Sequence, residues 1–368
     1  MSRITHDICD MLHVPHHHNS NTGSNRREEV HFENRNQHEF NSDQSLVTSA
    51  TTLVGKRMVL AGGGGYLGNL LKNHFRQRGG DVVILTRAKA LIGEEFVHWD
   101  GKTIGPWTDQ LDGADALINL AGRSVNCRYH ARNRGEMMDS RIQTTRVLGE
   151  AVERCKRPPK VWLNSSTATI YKHTLGPAWD ESGEIGWTPK AKDQFSVEIA
   201  TEWERAFDEA PATNTRRIKL RTAMVLSRDP DPNNAFTALH RLARFGLGGR
   251  MGDGRQYVSW IHERDFCRAL EFLIANENID GPVNIAAPDP RPNAEMMRMF
   301  RKHCGMPIGL PAAQWMLEVG AFFLRTETEL IIKSRRVIPG KLSHQGFQFD
   351  HDNFEEALMN LMAGKVPA

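Results

Sequence analysis

The chain has 368 residues, enough for one large α/β domain and a smaller lobe. Lysine and arginine total 47 against 44 aspartates and glutamates, a net charge of +3 with no long basic stripe, which argues against a nucleic-acid groove. Five scattered cysteines without CxxC spacing read as reduced thiols. No apolar run reaches membrane length, and Met1 to Pro15 lacks the basic start and apolar stretch of a secretory signal, so the cytoplasm is the expected compartment.

Residues 1–54 are rich in Asn, Ser, His, Glu and Arg and carry no helical or strand period, so a disordered tail is expected. Seven of the 16 histidines fall here, among them His16, His17 and His18, which suit adventitious metal contact and not a dedicated site. From Lys56 onward short apolar runs alternate with amphipathic helices, the signature of βαβ units on a parallel sheet. The expected strands are Arg57 to Ala61, Asp81 to Thr86, Phe96 to Trp99, Ala116 to Leu120, Val161 to Asn164 and Ile218 to Leu226. Helices are expected near 66–78, 138–154, 194–209 and 235–245, then from Gln314 to Leu324, through Ile332, and from Asn353 to Met362. The fold class is therefore α/β, a doubly wound parallel Rossmann sheet with a smaller C-terminal lobe. The expected division is a nucleotide-binding domain over 55–229, a substrate lobe that returns to the core over 230–310, and a C-terminal domain over 311–368.

The first strand runs into GGGGYLG. Gly62, Gly65 and Gly68 satisfy GxxGxxG, and Gly63, Gly65 and Gly68 satisfy GxGxxG, so spacing does not choose between the two Rossmann variants. In both, glycine permits a tight turn, backbone N–H groups approach a pyrophosphate, and the positive helix N-terminus faces the phosphates. Tyr66 and Leu67 open that helix and join the glycines as candidate cofactor contacts. The end of the second strand, where NAD enzymes place an acid for the ribose, carries Thr86 and Arg87. Arginine suits a 2′-phosphate, so NADP(H) is expected over NAD(H). Asn119, Ala121 and Gly122 end the fourth strand at the carboxyl edge, where small residues let a cofactor lie close.

These features, together with NLAG at Asn119 to Gly122, SRIQTTRVL at Ser140 to Leu148, RTAMVLS at Arg221 to Ser227, FGLGGRMGDGRQYVSWIHERD, GPVNIAAPDP and RRVIPGKLSHQGFQF, resemble the atypical short-chain dehydrogenase/reductases known as epimerase-family proteins. The resemblance covers nearly all of 56–368. It implies an extended Rossmann fold that binds NADP(H), with a short family-specific C-terminal domain, and it brings Arg141 into the cofactor-binding set.

Active members of the wider superfamily pair a Tyr with a Lys four residues on, where lysine and the cofactor ribose lower the phenol pKa. The four tyrosines, Tyr66, Tyr129, Tyr171 and Tyr257, are followed at that spacing by Leu70, Asn133, Leu175 and Ile261. Phe195 and Ile199 stand where the dyad is expected, and with Trp203 they repeat at i, i+4 and i+8 as an inward apolar stripe. The hydroxyl-bearing strand end survives in NSSTATIY, with Thr167 or Ser166 placed to polarise a carbonyl and Tyr171 as a relocated acid/base candidate.

Five of nine residues from Gly246 to Gly254 are glycine, which suits a mobile lid, with Arg250 and Arg255 to neutralise an anion. Gln256, Trp260 and His262 offer a stacking plane and two polar tips, and His262 is a candidate proton shuttle weighed against a hydrogen-bonded structural role. Asp265 is expected to cap the helix that follows it. Two functions follow: an NADP(H)-dependent oxidoreductase or epimerase acting on a small carbonyl or hydroxyl compound, or a catalytically silent NADPH-binding sensor. The expected partner is a small molecule, with no metal, nucleic acid or membrane involved, and the oligomeric state is open.

Overall fold

The computed structural model describes residues 53–88, 93, 95–229, 231, 234–313 and 329–363. Residues 1–52, expected as a disordered tail, and the helix expected from Gln314 to Leu324 lie outside them. Leu53, counted with the tail, is fully buried in the core.

A parallel sheet is built from β1 (Arg57–Ala61), β2 (Asp81–Thr86), β3 (Phe96–His98), β4 (Ala116–Asn119), β5 (Val161–Thr167) and β6 (Arg216–Thr222). The strands run in spatial order β3-β2-β1-β4-β5-β6, the doubly wound Rossmann order with its switch point between β1 and β4. Alternation along β1 divides the interior. Met58 and Leu60 enter one core with Phe75, Leu270 and Leu273, while Val59 and Ala61 enter the other with Leu148, Val152, Trp162 and Phe207. The first core is covered by α1 (Tyr66–Gln77), and the second by α2 (Ala131–Arg154) and α3 (Gln194–Asp208).

Where the structure departs from periodicity the causes are local. The helix expected from 138 begins seven residues earlier, since the polar stretch from Ala131 to Glu136 has no apolar period. It is held by the His130 Nδ1 cap on Asn133 N (3.4 Å) and an Arg132–Glu136 pair at i, i+4. The run read as one strand to Leu226 is two. At Ala223, whose N–H donates to Ile285 O (3.0 Å), the chain leaves the main sheet, and β7 (Met224–Leu226) is separate.

Beyond β7 lie α4 (Ala235–Arg244), β8 (Tyr257–Val258) and β9 (Trp260–His262), with β9 parallel to β7. The helix α5 (Glu263–Ala275) then packs back on α1, and β10 (Gly281–Ile285) joins β6 as a seventh strand that the apolar pattern did not announce. Beyond it lie β11 (Arg291–Pro292), antiparallel to β8, and α6 (Asn293–His303). After the short helices α7 (Glu329–Ile332) and α8 (Gly340–His344), α9 (Phe354–Ala363) joins a third hydrophobic cluster with α4 and α6, Phe354 edge-on to Trp260 at 5.2 Å. Among the described residues no helix is long and apolar enough to cross a membrane.

Candidate functional site

A cleft of roughly 690 Å³ opens at the carboxyl edge of the sheet, at the β1/β4 switch point. Its floor is the glycine turn. Gly62 adopts φ +73°, and a Cβ there would lie 2.6 Å from Ala121 Cα; a Cβ on Gly68 would lie 2.1 Å from Gly63 O. These two glycines lock strand, turn and helix together. Gly65 is different, because a Cβ there would meet nothing within 4 Å while the residue lines the cleft. The turn therefore holds an open cradle beside the first N–H groups of α1, whose first turn contains no acid and whose N-cap has no side-chain acceptor. That cradle fits a pyrophosphate. Tyr66, Leu67 and Gly68 supply the helix start and are not in the cleft wall. The Tyr66 phenol is pushed up to about 12 by burial and by the nearby charges of Asp231 and Asp229.

Thr86 and Arg87 line the cleft from the end of β2, and Ala121 and Gly122 line it from the end of β4. Sequence reading missed Trp99, Asp100, Gly101 and Lys102, which line the cleft from the end of β3, next to Thr86 and Arg87. The signal was there: WDGK follows β3 directly and makes a turn with Gly101 at φ +73°. Asp100 is held down to about 2 by hydrogen bonds from the Thr103 and Lys102 amides and the Thr103 hydroxyl, so it is fully ionised at neutral pH. Arg87, Lys102 and Arg123 all line this cleft, alongside the acids Asp100, Glu136 and Asp139. Arg123 stands on α2's side, paired with Glu136 and bonded to Asn133 Oδ1 (2.9 Å).

Asn119, expected as a cofactor contact, is fully buried. Its amide donates to Asn164 Oδ1 (2.7 Å) and its carbonyl receives Ala121 N–H (3.0 Å), so it shapes the turn from behind. Arg141 likewise lies behind the cleft wall. Its guanidinium would be 3.2 Å from a Cβ on Gly122, sits 5.0 Å over the Trp203 ring, and donates to Met137 O (3.0 Å). Burial pushes it down to about 10.

Of the proton-transfer candidates, none lines this cleft. Ser166 donates to Glu204 (2.6 Å), which clamps Arg221 through two 2.8 Å bonds. Arg221 in turn donates to the Tyr171 hydroxyl (2.9 Å), which donates to Asn284 Oδ1 (2.8 Å). Tyr171 is buried and pushed up to about 12 by desolvation, so its expected relocated acid/base role gives way to a structural one that ties β5, β6 and β10 together. Thr167 Oγ1 accepts Thr169 N–H (3.1 Å) and caps a short 3-10 turn. His262 accepts Arg264 N–H on Nδ1 (3.1 Å) and is the cap of α5, displacing Asp265, whose carboxylate instead receives the amides of Asp350 and His351 (2.8 Å each). The shuttle role of His262 yields to this cap.

Two further expectations change. The glycine-rich segment is no free lid. Leu310 N–H donates to Gly246 O (2.8 Å), Ala312 N–H to Arg250 O (3.0 Å) and Gly252 N–H to Ala312 O (2.8 Å), while a Cβ on Gly249 would meet Leu310 O at 2.3 Å. Arg250 and Arg255 are exposed. Gln256 and Trp260 are buried, bonded to Met251 O (2.8 Å) and Asp289 O (2.6 Å), so neither makes a ligand-facing surface.

Phe195 and Ile199 are buried with Met137. The Tyr129 ring stands edge-on to Phe195 at 5.2 Å and 70°, and the Arg134 guanidinium lies 4.9 Å over the Phe195 ring.

A profile described as the NAD dependent epimerase/dehydratase family matches residues 58–286, and one described as DUF1731, a domain of unknown function, matches 312–361. An epimerase family protein of Staphylococcus epidermidis is 30% identical over 308 residues, covering 83% of this chain and 99% of its own. One from Mycobacterium leprae is 32% identical over 304 residues, covering 82% and 94%. Among solved structures, human epimerase family protein SDR39U1 (isoform2) with NADPH aligns at TM-score 0.73 and 26% identity, covering 84% of this chain and 99% of that one. The glycine cradle, the sheet order and these matches place the chain in the NAD dependent epimerase/dehydratase family.

Proposed function

We propose that the chain is an NADP(H)-binding oxidoreductase or epimerase of a small carbonyl or hydroxyl compound, acting without the usual Tyr-Lys dyad. The observation that carries the cofactor preference is the cation pair: Arg87 and Lys102 line one cleft with Gly62 and Gly65, and Thr86 stands where an acid would greet an unphosphorylated ribose. The human relative solved with NADPH supports it. In this reading Gly65 and the first N–H groups of α1 hold the pyrophosphate, Arg87 and Lys102 hold the 2′-phosphate, and Ala121 and Gly122 leave room on the nicotinamide side. A bound nicotinamide supplies hydride transfer. Asn119 keeps the turn over Ala121 and Gly122 in shape, and Trp99 walls the adenosine side. Incubation with 4-deuterated NADPH and a metabolite library tests the activity; label on a carbonyl-derived product is expected, and no transfer to any compound defeats it.

The buried Phe195 and Ile199 favour a second reading, an NADPH sensor without turnover. It predicts NADPH-dependent capture of a protein partner together with a blank deuteride screen.

A further inference from the structure

One face of α2 lines the cofactor cleft. Glu136, Asp139, Ser140, Gln143 and Thr144 recur there at the three- and four-residue spacing that puts side chains on a single side of a helix. The two ends of this stripe meet different parts of the cleft. The Ser140 hydroxyl accepts Arg123 N–H (2.9 Å), on the loop that follows Gly122 at the end of β4. Thr144 Cγ2 would lie 3.0 Å from a Cβ on Gly101, in the turn that follows β3. From Glu136 to Gln143 the helix rises about 10 Å, so the stripe leads from the β4 side of the cleft to the residues at the end of β3.

Most polar groups along it are already engaged. Glu136 pairs with Arg123 and Arg132, Ser140 Oγ donates to Met137 O (3.0 Å), and Thr144 Oγ1 donates to Ser140 O (2.7 Å). Asp139 is exposed and lies one turn nearer the Arg123 end. At the β3 end, the Asp100 carboxylate closes its own turn by accepting Lys102 N–H (2.8 Å), Thr103 N–H (2.9 Å) and the Thr103 hydroxyl (2.7 Å). Gln143 differs from all of these. It is half-buried, it lines the cleft, and among the described residues its amide has no hydrogen-bond partner. A carboxamide partly withdrawn from water with donor and acceptor both unused is complementary to a ligand edge that offers one of each.

We propose that Gln143 reads the adenine base of the cofactor, its amide oxygen accepting from the exocyclic N6 amino group and its amide nitrogen donating to ring N7. This rests on the NADP(H) reading, in which a 2′-phosphate at Arg87 and Lys102 brings the adenosine to the β3 end of the cleft, where Gln143 lies. Glutamine fits that edge of adenine through two parallel hydrogen bonds. A 6-oxopurine presents two acceptors there, so whichever way the amide turns, one acceptor faces its oxygen. Gln143 therefore selects the base, while Arg87 and Lys102 select the phosphate.

The test needs no substrate. The full chain is titrated by calorimetry with NADPH and with its hypoxanthine analogue, reduced nicotinamide hypoxanthine dinucleotide phosphate. NADPH should bind about tenfold or more tighter than the analogue. Gln143→Met has similar length and neither hydrogen-bonding group; NADPH should weaken about tenfold in it and the analogue by less than about threefold, which closes the gap between them. Its melting midpoint without nucleotide should stay within about 2 °C of wild type, since no internal bond is lost. Arg87→Glu should weaken both nucleotides together and leave their ratio as in the wild type. Equal binding of the two nucleotides by the wild type, or a ratio in Gln143→Met as large as in the wild type, overturns the assignment. Wild type that binds neither nucleotide defeats the NADP(H) reading and the base contact with it; tight NADPH binding with a ratio indifferent to Gln143→Met defeats Gln143 alone.

Discussion

Lys333 Nζ lies 2.6 Å from Asp193 Oδ2 with both side chains withdrawn from water, and the pair pins the C-terminal segment to the start of α3. Lys333 also donates to Thr169 O (2.5 Å), and Asp193 Oδ1 receives Thr188 N–H (2.8 Å). Two desolvated charges in contact stabilise little over an apolar pair, but each is strongly destabilising alone. Lys333→Met should therefore cost about 3–5 kcal/mol in urea unfolding, and the double variant Lys333→Met/Asp193→Asn should recover most of it. An additive double variant would show that the pair is not coupled.

Gly65→Ala separates cofactor binding from folding. A Cβ at Gly65 meets only open space, so unfolding free energy should change by no more than about 0.5 kcal/mol, while NADPH affinity measured by fluorescence titration falls about tenfold or more. Gly68→Ala has no such freedom, since its Cβ would overlap Gly63 O, and it should lose stability as well as affinity. Unchanged NADPH binding in Gly65→Ala would remove the pyrophosphate from this cradle.

Reversing one charge of the cation pair should alter preference and not fold. Arg87→Glu is expected to weaken NADPH about tenfold or more and leave NADH within about threefold, with Lys102→Ala acting in the same direction by a smaller factor. Calorimetric titration of both nucleotides reads the ratio; equal losses for both would show that the cations do not serve the 2′-phosphate.

His262 gives the fold an acid weakness. Burial first, and then the neighbouring His351 ring at 3.9 Å, hold its imidazole down to about 3, against about 6.5 when unfolded. Between those values the unfolded chain binds a proton that the folded chain refuses, so this contribution is complete above about pH 6.5 and drains as pH falls toward 3. Protonation also ends the Nδ1 acceptor that caps α5. Stability should drop by about 2 kcal/mol between pH 7 and 5 from this group, and His262→Asn, which keeps a capping oxygen, should flatten that slope.

The Rossmann half was legible because its code is local. Apolar runs mark β1 and β2 to the residue, and the glycine spacing marks the turn between β1 and α1. What escaped depends on contacts across the chain. The strand β10 carries Gly281, Pro282 and Asn284 and lacks a strong apolar period; pairing with β6 makes it a strand. Ser166 and Tyr171 looked catalytic because hydroxyls at a strand end resemble a site, but Glu204 and Arg221, 17 residues apart, claim them for a buried network. Asp265 met the local rule for a helix cap, and His262 won the place because the chain at Asp350 and His351 supplied Asp265 with amides. Trp99 to Lys102 enter the cleft through a turn whose direction no period encodes.

The hydrogen bond from Tyr171 to Asn284 crosses 113 residues of sequence, and Asn284 sits on the strand that flanks β6. Its amide also donates to Ile338 O (3.0 Å), and Glu181 receives both Asn284 N–H and Lys341 N–H. On a ribosome, the cradle and six strands would emerge before their outer neighbour and the segment that seals it. Between the synthesis of β6 and that of β10, the nascent chain carries an unfinished sheet edge with the Arg221 and Glu204 charges half-enclosed. A nucleotide that binds early at Gly65 would then act during biogenesis as well as afterwards, holding the first half in register until the last reaches it.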